Sequence, residues 1–330
     1  MDLRKIGEFG LLRRVREWAK ASDPSLIQGI GDDVAVFEAG RRSLLATTDI
    51  LVEDVHFGRA WVNPYFLGKK ALAVNLSDIA AMGGTPKYFL LSLGLPKDLD
   101  LSFVSRFYRG LRDIAKLFQV DLIGGDTSFS PKIIVNVCLL GEGRKKELLY
   151  RKGARVGDDL FVTGTLGDSA LGLKILEKEG VTAKPEGLVR RHLLPTPKVG
   201  LGQAIGRQRL ATAMIDVSDG LLIDTSHLLE ESWKGARIWE NRVPLSRLYR
   251  KHVLSYSRNT YDLALSGGED YELLFTTSPK MRNKIVSLSR SCRIPITRIG
   301  EILAPGDGFR IIRTDGTEYS PSHLGFDHFR

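Results

Sequence analysis

Apolar and polar positions follow two different spacings along the chain, and together these predict a succession of helices and strands. Residues 8–19 carry apolar side chains at Phe9, Leu12 and Val15, which is the spacing of one helix face. Short, mostly apolar runs predict buried strands instead. In the first half we expect helices at 8–19, 66–82 and 101–118, and strands at 43–50, 88–96, 120–126 and 132–142.

The same alternation returns after a charged, glycine-bearing stretch at 143–158, and there we place a domain boundary. The pattern predicts an α/β or α+β protein with domains at 1–145 and 146–330. Each half contains a Gly-Gly-acid triplet, and we expect the strand at 120–126 to break at the first of them, Gly124-Gly125-Asp126. In the second half the expected strands are 159–164, 211–216, 271–277, 296–303 and 308–313, and the expected helices are 168–180, 186–207, 218–231 and 279–289.

Length and composition are those of a globular protein, with 43% apolar and 26% charged residues among 330. Cys138 and Cys292 lie far apart and form no CxxC pair, which favours free thiols in a reducing compartment. No apolar run reaches the length of a membrane span, and Arg13, Arg14 and Arg16 interrupt the N-terminal segment. We therefore expect a cytoplasmic protein.

A formal net charge of +9 would suit a protein that binds nucleic acid, a membrane surface or small anions. The basic residues come in scattered pairs, which favours an ordinary solvated surface. The stretch 237–258 is the nearest approach to a patch, and it carries no nucleic-acid motif. A basic nucleic-acid-binding protein stays a distant alternative, because it would explain the charge but not the aspartates described next.

Seven aspartates occupy unusual positions, at the ends of apolar strands, beside glycines or inside an apolar helix. The sequence "IGDDVAV" (30–36) is typical, with two adjacent carboxylates directly before a β-prone run. Buried carboxylates without a partner are unfavourable, so a shared cation explains the set better than separate local roles such as helix capping. The seven are Asp32, Asp33, Asp49, Asp78, Asp126, Asp216 and Asp219.

Hard oxygen ligands favour Mg²⁺, and the hydroxyls of Thr47, Thr48 and Ser218 lie close to these aspartates in sequence. None of the six histidines shows metal-ligand spacing with a cysteine, which disfavours zinc. Because Mg²⁺ usually enters with phosphate oxygens, the set suggests a polyphosphate substrate. The chain has no P-loop and no GxSxG nucleophile motif, and the glycine turn at 164–169 is interpreted as structural.

The order of these motifs resembles the thiamine-monophosphate kinase family, in the superfamily of aminoimidazole ribonucleotide synthetase and selenophosphate synthetase. The resemblance covers essentially the whole chain. It rests on "GEFGLL" (7–12), "GIGDDVAV" (29–36), "TTDILVEDVHF" (47–57), "AVNLSDIAAMGGTPKYFLLSLGLP" (73–96), "RFYRGL" (106–111), "GGDTS" (124–128), "RKGARVGDDLFVTGTLGDSALGL" (151–173), "RHLLPTPKV" (191–199), "MIDVSDGLLID" (214–224), "LSGGEDYELLFT" (265–276) and "GFDHF" (325–329).

The resemblance implies a two-domain PurM-like fold, in which N-terminal strands of two subunits of a homodimer pair into a barrel. It implies ATP in the cleft between domains, several Mg²⁺ ions, and direct in-line phosphorylation of thiamine monophosphate to thiamine diphosphate. An aminoimidazole ribonucleotide synthetase-like enzyme is the alternative within the superfamily. Selenophosphate synthetase is disfavoured, because it typically has a cysteine near the N-terminus and this chain has none before Cys138.

The site residues are carried over position by position. The resemblance implies that Asp33 binds Mg²⁺ rather than its neighbour Asp32, and that Phe326 stacks on the thiazolium ring. The implied Mg²⁺ ligands are Asp33, Thr47, Thr48, Asp49, Asp78, Asp126, Asp216 and Asp219, of which Asp33, Asp49, Asp78, Asp126 and Asp219 are the expected catalytic residues. The implied nucleotide contacts are Thr48, Tyr108, Gly125, Asp126, Arg151 and Ser218, and the implied substrate contacts are His56, Glu269 and Phe326.

Overall fold

A computed structural model describes residues 3–18, 23–180, 184, 186–321 and 324–325. Its two sheets and their helices confirm the expected α/β class. The helices are α1 Leu3–Trp18, α2 Pro64–Ala81, α3 Leu101–Phe118, α4 Asp168–Glu179, α5 Glu186–Leu193, α6 Val199–Arg207, α7 Leu221–Ser232, α8 Arg247–His252, α9 Asp262–Ser266 and α10 Arg282–Cys292. The strands are β1 Leu26–Gln28, β2 Ala35–Ala39, β3 Arg42–Val52, β4 Thr85–Leu95, β5 Asp121–Phe129, β6 Ile134–Gly143, β7 Asp159–Thr163, β8 Ala213–Asp216, β9 Gly235–Trp239, β10 Leu273–Thr277, β11 Ile296–Leu303, β12 Phe309–Ile312 and β13 Glu318–Tyr319.

The first sheet has six strands in the order β1-β2-β3-β6-β4-β5, and only β4 and β5 pair in parallel. Helix α2 lies on one face of it and is apolar on nearly all sides, because it also packs against α3, α6 and β8. Glycines let α2 and α3 meet backbone to backbone. A Cβ at Gly68 would lie 2.0 Å from the carbonyl oxygen of Phe107, and one at Gly110 would lie 1.9 Å from that of Tyr65.

Strand β5 forms one edge of this sheet and runs through the pair Gly124-Gly125. The expectation that the strand breaks at these glycines is therefore wrong. A Cβ at Gly125 would lie 1.8 Å from the carbonyl oxygen of Leu91 on β4, so glycine is needed here for close approach of the two strands. All nine residues of β5 are exposed.

The second sheet has seven strands in the order β13-β12-β9-β11-β7-β10-β8. Strand β8 lies at its edge against α2, so this one helix contacts both sheets. Cys138 and Cys292 are free and half-buried. Among the described residues, no helix is both long and apolar enough to cross a lipid bilayer. The cytoplasmic location stays a prediction.

Candidate active site

Helix α2 supplies the centre of the site, because polar residues interrupt its apolar sequence where it passes between the two sheets. It begins at Pro64, and the side chain of Asn63 caps it by accepting from the backbone N–H of Tyr65. In its last turns Asp78 accepts a hydrogen bond of 2.5 Å from the hydroxyl of Thr47 on β3. The carboxylate of Asp78 therefore points to the first sheet, and the same helix also packs against β8 of the second sheet.

The loop that contains "IGDDVAV" brings Asp33 to the same place. Gly31 has φ 119°, a conformation that favours glycine, and the chain turns there before entering β2. Arg151 donates to Oδ1 of Asp33 from Nη2 at 2.5 Å and from Nε at 3.1 Å. The other oxygen of Asp33, Oδ2, is buried without a hydrogen-bond partner. Asp32 instead accepts from backbone N–H groups of Asp33 and Arg151.

Strand β8 delivers the third carboxylate at its last residue, Asp216. Ser77 of α2 donates to Asp216 at 2.5 Å, so a hydrogen bond inside the site joins α2 to the second sheet. One carboxylate oxygen from each of Asp33, Asp78 and Asp216 lies within 4.8 Å of the others. Asp49 approaches Asp78 from β3, and its charge acts on that of Asp219. We call Asp33, Asp49, Asp78, Asp216 and Asp219 the aspartate cluster.

The aspartate cluster is short of positive charge. Burial, followed by the neighbouring carboxylates Asp219 and Asp33, raises the pKa of Asp49 to about 6. Burial and Asp33 raise the pKa of Asp216 to about 8, and burial together with Asp49, Asp216 and Asp33 raises the pKa of Asp78 well above its usual value. A divalent cation would remove this repulsion, and the unpartnered Oδ2 of Asp33 offers it a free ligand atom. The donor set of carboxylate oxygens fits Mg²⁺.

Asp224, which sequence analysis missed, shapes the loop that carries Asp219. Its Oδ2 accepts from three consecutive backbone N–H groups, those of Ser218, Asp219 and Gly220, at 3.0 to 3.1 Å. This contact fixes the start of α7 and the position of the implied nucleotide contact Ser218. The motif "SDGLLID" could have indicated it, since an aspartate in the first turn of a helix often accepts from the preceding loop.

Other implied ligands lie on the far side of the first sheet. Thr48 alternates with Thr47 along β3, and its hydroxyl donates to the carbonyl of Val137 rather than reaching the cluster. The strand pairing aligns Asp126 with Ile50 of β3 three strands away, a separation of roughly 14 Å at the usual strand spacing. Asp126 is exposed there, next to Gly125. The structure does not bring Thr48, Gly125 or Asp126 to the aspartate cluster.

Tyr108 also lies apart from the cluster. It is exposed on α3 and lines a groove of about 900 Å³ with Arg109, Arg112 and Lys116. A second groove of about 550 Å³ collects basic residues that the sequence separates, including the pairs Arg41-Arg42 and Lys145-Lys146. The pairs are thus less scattered than their sequence positions suggest, although none of the described residues that line that groove is aromatic.

The implied substrate contacts begin with Glu269, which lies in the loop before β10 and meets Lys70 of α2 at 2.8 Å. His56 follows β3, is half-buried, and accepts at Nδ1 from the backbone N–H of Val52 at 3.1 Å. Phe326 lies outside the described residues. Sequence analysis missed Lys70 and His192, which both contact Glu269.

Comparisons with known proteins agree along the whole chain. Two family models match, the AIR synthase related protein N-terminal domain over residues 31–142 and the C-terminal domain over residues 155–313. The chain is 39% identical over 331 residues to the thiamine-monophosphate kinase of Aquifex aeolicus (strain VF5), covering all of both chains. It is also 39% identical to that of Escherichia coli (strain K12), covering 98% of each.

Solved structures give the same result. The structure of "AaThiL complexed with AMPPCP and TMP" superposes with a TM-score of 0.87 at 38% identity, over 99% of both chains. E. coli HypE, a hydrogenase maturation protein, superposes with a TM-score of 0.72 at 20% identity, which shows a shared fold alone. The two-domain PurM-like fold is therefore confirmed.

Proposed function

This chain belongs to the thiamine-monophosphate kinase family and phosphorylates thiamine monophosphate with ATP, and we propose that it does so by direct in-line transfer in the cleft between its two domains. The observation that carries the mechanism is the aspartate cluster. Asp33 and Asp216 are buried and Asp78 is half-buried, and one carboxylate oxygen of each lies within 4.8 Å of the others. Among the described residues, Arg151 is the cation that pairs with Asp33.

We propose that Asp33, Asp49, Asp78, Asp216 and Asp219 hold Mg²⁺, with the hydroxyl of Thr47 orienting Asp78. When bound, Mg²⁺ neutralises the phosphate oxygens and aligns donor and acceptor. Arg151 holds Asp33 in place and adds a positive charge at the edge of the cluster. Ser218, fixed through Asp224, faces the nucleotide.

The chemistry on the acceptor side needs no general base. A phosphate monoester has its second ionisation near pH ~6, so the acceptor is largely a dianionic nucleophile at neutral pH. Catalysis then depends on alignment and charge neutralisation, to which the chain contributes fixed carboxylates and Arg151. Glu269, His56 and Phe326 form the proposed pocket for the remainder of the substrate.

An assay of ADP release with Mg²⁺-ATP tests the activity, using thiamine monophosphate, thiamine and an aminoimidazole ribonucleotide precursor as separate acceptors. Turnover with thiamine monophosphate alone supports the proposal, and turnover with thiamine or the precursor alone contradicts it. ATP with a chiral γ-phosphoryl group tests the mechanism. Inversion at phosphorus indicates one direct transfer, whereas retention would indicate a phosphoenzyme.

We further propose that the protein is a homodimer joined through the open face and edge of the first sheet. This face presents an unusual set of exposed apolar side chains, which marks an interaction surface. The set includes Leu44, Ile50, Tyr88, Leu90, Leu122, Ile123 and Phe129. Asp126 and Tyr108 lie on or beside it, so each would complete the nucleotide site of the other subunit.

Mixing two inactive variants tests this arrangement. If the sites are composite, Asp33→Asn and Asp126→Asn subunits combined in one dimer restore one intact site, and an equal mixture recovers about a quarter of wild-type activity. If both residues serve the site of their own subunit, mixing restores nothing. Ile123→Lys should release monomers in analytical ultracentrifugation, with the exposed Leu254→Lys on the second domain as control.

A further inference from the structure

Glu269 is clamped by two buried side chains from separate elements. The ammonium of Lys70, on α2, lies 2.8 Å from Oε1 and 2.9 Å from Oε2. The ring nitrogen Nδ1 of His192, on α5, lies 2.9 Å from Oε2. The side chains of Lys70 and His192 are 4% and 2% exposed, whereas that of Glu269 is 23% exposed. Two buried side chains thus contact the Glu269 carboxylate, and part of that carboxylate stays accessible to solvent.

We call Lys70 and His192 the clamp of Glu269. The contacts among these three residues indicate which of their groups carry protons. Burial lowers the pKa of His192, and the nearby charge of Lys70 lowers it further, so the ring is neutral. Its Nδ1 faces Glu269 at 2.9 Å and the hydroxyl of Ser169 at 3.2 Å, while Nε2 is buried without a hydrogen-bond partner. Because the carboxylate of Glu269 can only accept, the single proton is assigned to Nδ1. Burial opposes the charge of Glu269, but Lys70 and His192 outweigh it and hold the pKa of Glu269 well below its usual range.

A neighbouring carboxylate shows what a purely structural ion pair looks like in the same loop. Glu272 is 1% exposed and receives Arg191, Lys198 and the hydroxyl of Thr163, so its oxygens are fully used inside the domain. Glu269 keeps an open side instead. Lys70 lies eight residues before Asp78 on α2, which separates the two by about 12 Å along the helix axis. One rigid helix therefore sets the distance between the aspartate cluster and Glu269.

We propose that Lys70 and His192 are positioning residues that hold Glu269 ionised and directed into the cleft, where it selects the cationic thiazolium-bearing substrate. This inference rests on the proposed function, since it takes Glu269 as a substrate contact. Among the described residues assigned to the site, Glu269 is the one that Lys70 and His192 contact, so their effect on the substrate is transmitted through that carboxylate. Their removal should weaken substrate binding and spare the nucleotide.

Steady-state kinetics of Lys70→Met and His192→Leu test the clamp. We expect KM for thiamine monophosphate to rise about tenfold or more, because each variant removes a hydrogen bond to a charged group. KM for ATP and kcat should stay within about twofold of wild type, since the aspartate cluster is untouched. His192→Asn, which keeps an N–H near the position of Nδ1, should recover part of the loss. Lys69→Met, one residue away and partly exposed, is the matched control.

A double-variant cycle separates positioning from general damage. In a Glu269→Gln background, Lys70→Met should add little to KM for thiamine monophosphate, because the group through which it acts is gone. Equal changes in both KM values, or a full additive effect, would overturn the proposal. If Lys70→Met does not fold, His192→Asn and His192→Leu still decide it, and the ring nitrogens of His192 in wild type, measured by ¹⁵N NMR at neutral pH, must report a proton on Nδ1. Wild type that fails to phosphorylate thiamine monophosphate refutes the proposed function, whereas active wild type with unaffected variants refutes only the clamp.

Discussion

The aspartate cluster and two carboxylates of the second domain, Asp159 and Glu272, have neighbours of opposite charge. Asp159 and Glu272 are buried, whereas the cluster is buried at Asp33 and Asp216 and half-buried at its other members. Within the second domain, Asp159 is 1% exposed and is contacted by Arg282 and Arg298, and Glu272 is contacted by Arg191 and Lys198. In the cleft, several aspartates face one another, and Arg151 is their principal cation. Carboxylates shielded from water are therefore in opposite electrostatic states in the two regions.

The difference identifies the aspartate cluster as the region that needs a cation from outside the chain. A carboxylate with its own arginine or lysine is complete, and it stabilises a particular packing. The pKa values of the aspartate cluster are raised first by burial and then by the neighbouring carboxylates, so these groups repel one another, and such groups concentrate at functional sites. The proposed site of phosphoryl transfer is thus the place where the described residues leave negative charge uncompensated.

The largest expected effect comes from the two adjacent aspartates of "IGDDVAV". Asp33→Asn should lower Mg²⁺-dependent kcat by about 10²–10³-fold, because it removes a charge and a free ligand atom from the cluster. Asp32→Asn should lower it about tenfold or less, since an amide oxygen still accepts from the backbone N–H of Arg151. Turnover at saturating ATP across a Mg²⁺ titration measures both. Equal losses would mean that the two carboxylates share one role.

The paired region should respond to loss of a cation by losing stability. Lys198→Met leaves Glu272 with one fewer partner in a buried place, and we expect the free energy of unfolding to fall by about 3 kcal/mol. Lys280→Met, on an exposed surface, is the control and should change it by less than about 0.5 kcal/mol. Urea unfolding without Mg²⁺ measures both. A change at Lys198 as small as that of the control would contradict the contrast between the regions.

Without Mg²⁺, the aspartate cluster should make the protein less stable as pH rises. Its folded-state pKa values, about 6 for Asp49 and about 8 for Asp216, lie above the ordinary value of 3.8. The folded state therefore binds more protons than the unfolded state between about pH 4 and 8, and stability is lost across that window, by about 5 kcal/mol between pH 5 and 8.

The paired carboxylates have the opposite sign, because Asp159 and Glu269 have lowered pKa values and lose their contribution only below about pH 4. Thermal unfolding from pH 5 to 8, with EDTA or with Mg²⁺ and a non-hydrolysable ATP analogue, separates the two. Mg²⁺ and nucleotide should flatten the decline. A Mg²⁺-free protein whose stability increases from pH 5 to 8 would contradict the charge repulsion.

Sequence patterns predicted regular elements best where periodicity is long and uninterrupted. The helix expected at 101–118 coincides with α3, because its apolar face is clear over five turns. Short elements such as β1, β9 and β13 were missed, since a few residues carry no period. The break expected in β5 was wrong because a glycine pair indicates a turn locally, whereas here it serves close packing between strands.

The sequence could predict the site only through residue types that are seldom buried without a partner. An aspartate in apolar sequence is unusual by itself, and this singled out members of the aspartate cluster such as Asp78 and Asp216. Lys70 gave no such indication, because it stands beside Lys69 in the first half of α2, and a pair of lysines is ordinary until the partner of one of them is known. That partner, Glu269, lies 199 residues away, and pairings at such separation come from the fold and not from local pattern.

The smallest expected effect tests the contrast between the two regions most directly. An Asp→Asn substitution should raise stability in the aspartate cluster and lower it at a hydrogen-bonded aspartate of the second domain. Asp216→Asn removes one charge from the aspartate cluster while its amide oxygen still accepts from Ser77. Above about pH 8, where the Asp216 carboxyl is ionised, we expect the Mg²⁺-free protein to gain about 1 kcal/mol of stability through relief of repulsion. The same variant should lose most of the stabilisation that Mg²⁺ gives to wild type.

Asp270→Asn is the matched control, since Asp270 is also buried and carries a pKa raised to about 7, chiefly by burial. Its two oxygens accept separately from the backbone N–H groups of Gly167 and Ser169. In asparagine an NH₂ group replaces one of these oxygens, and it cannot accept from the backbone N–H that it would face. Asp270→Asn should therefore lower stability by about 1–3 kcal/mol, with Mg²⁺ making no difference. If both variants destabilise the Mg²⁺-free protein equally, hydrogen bonds stabilise the aspartate cluster as they stabilise other buried carboxylates. Charge repulsion that a cation would relieve would then be contradicted.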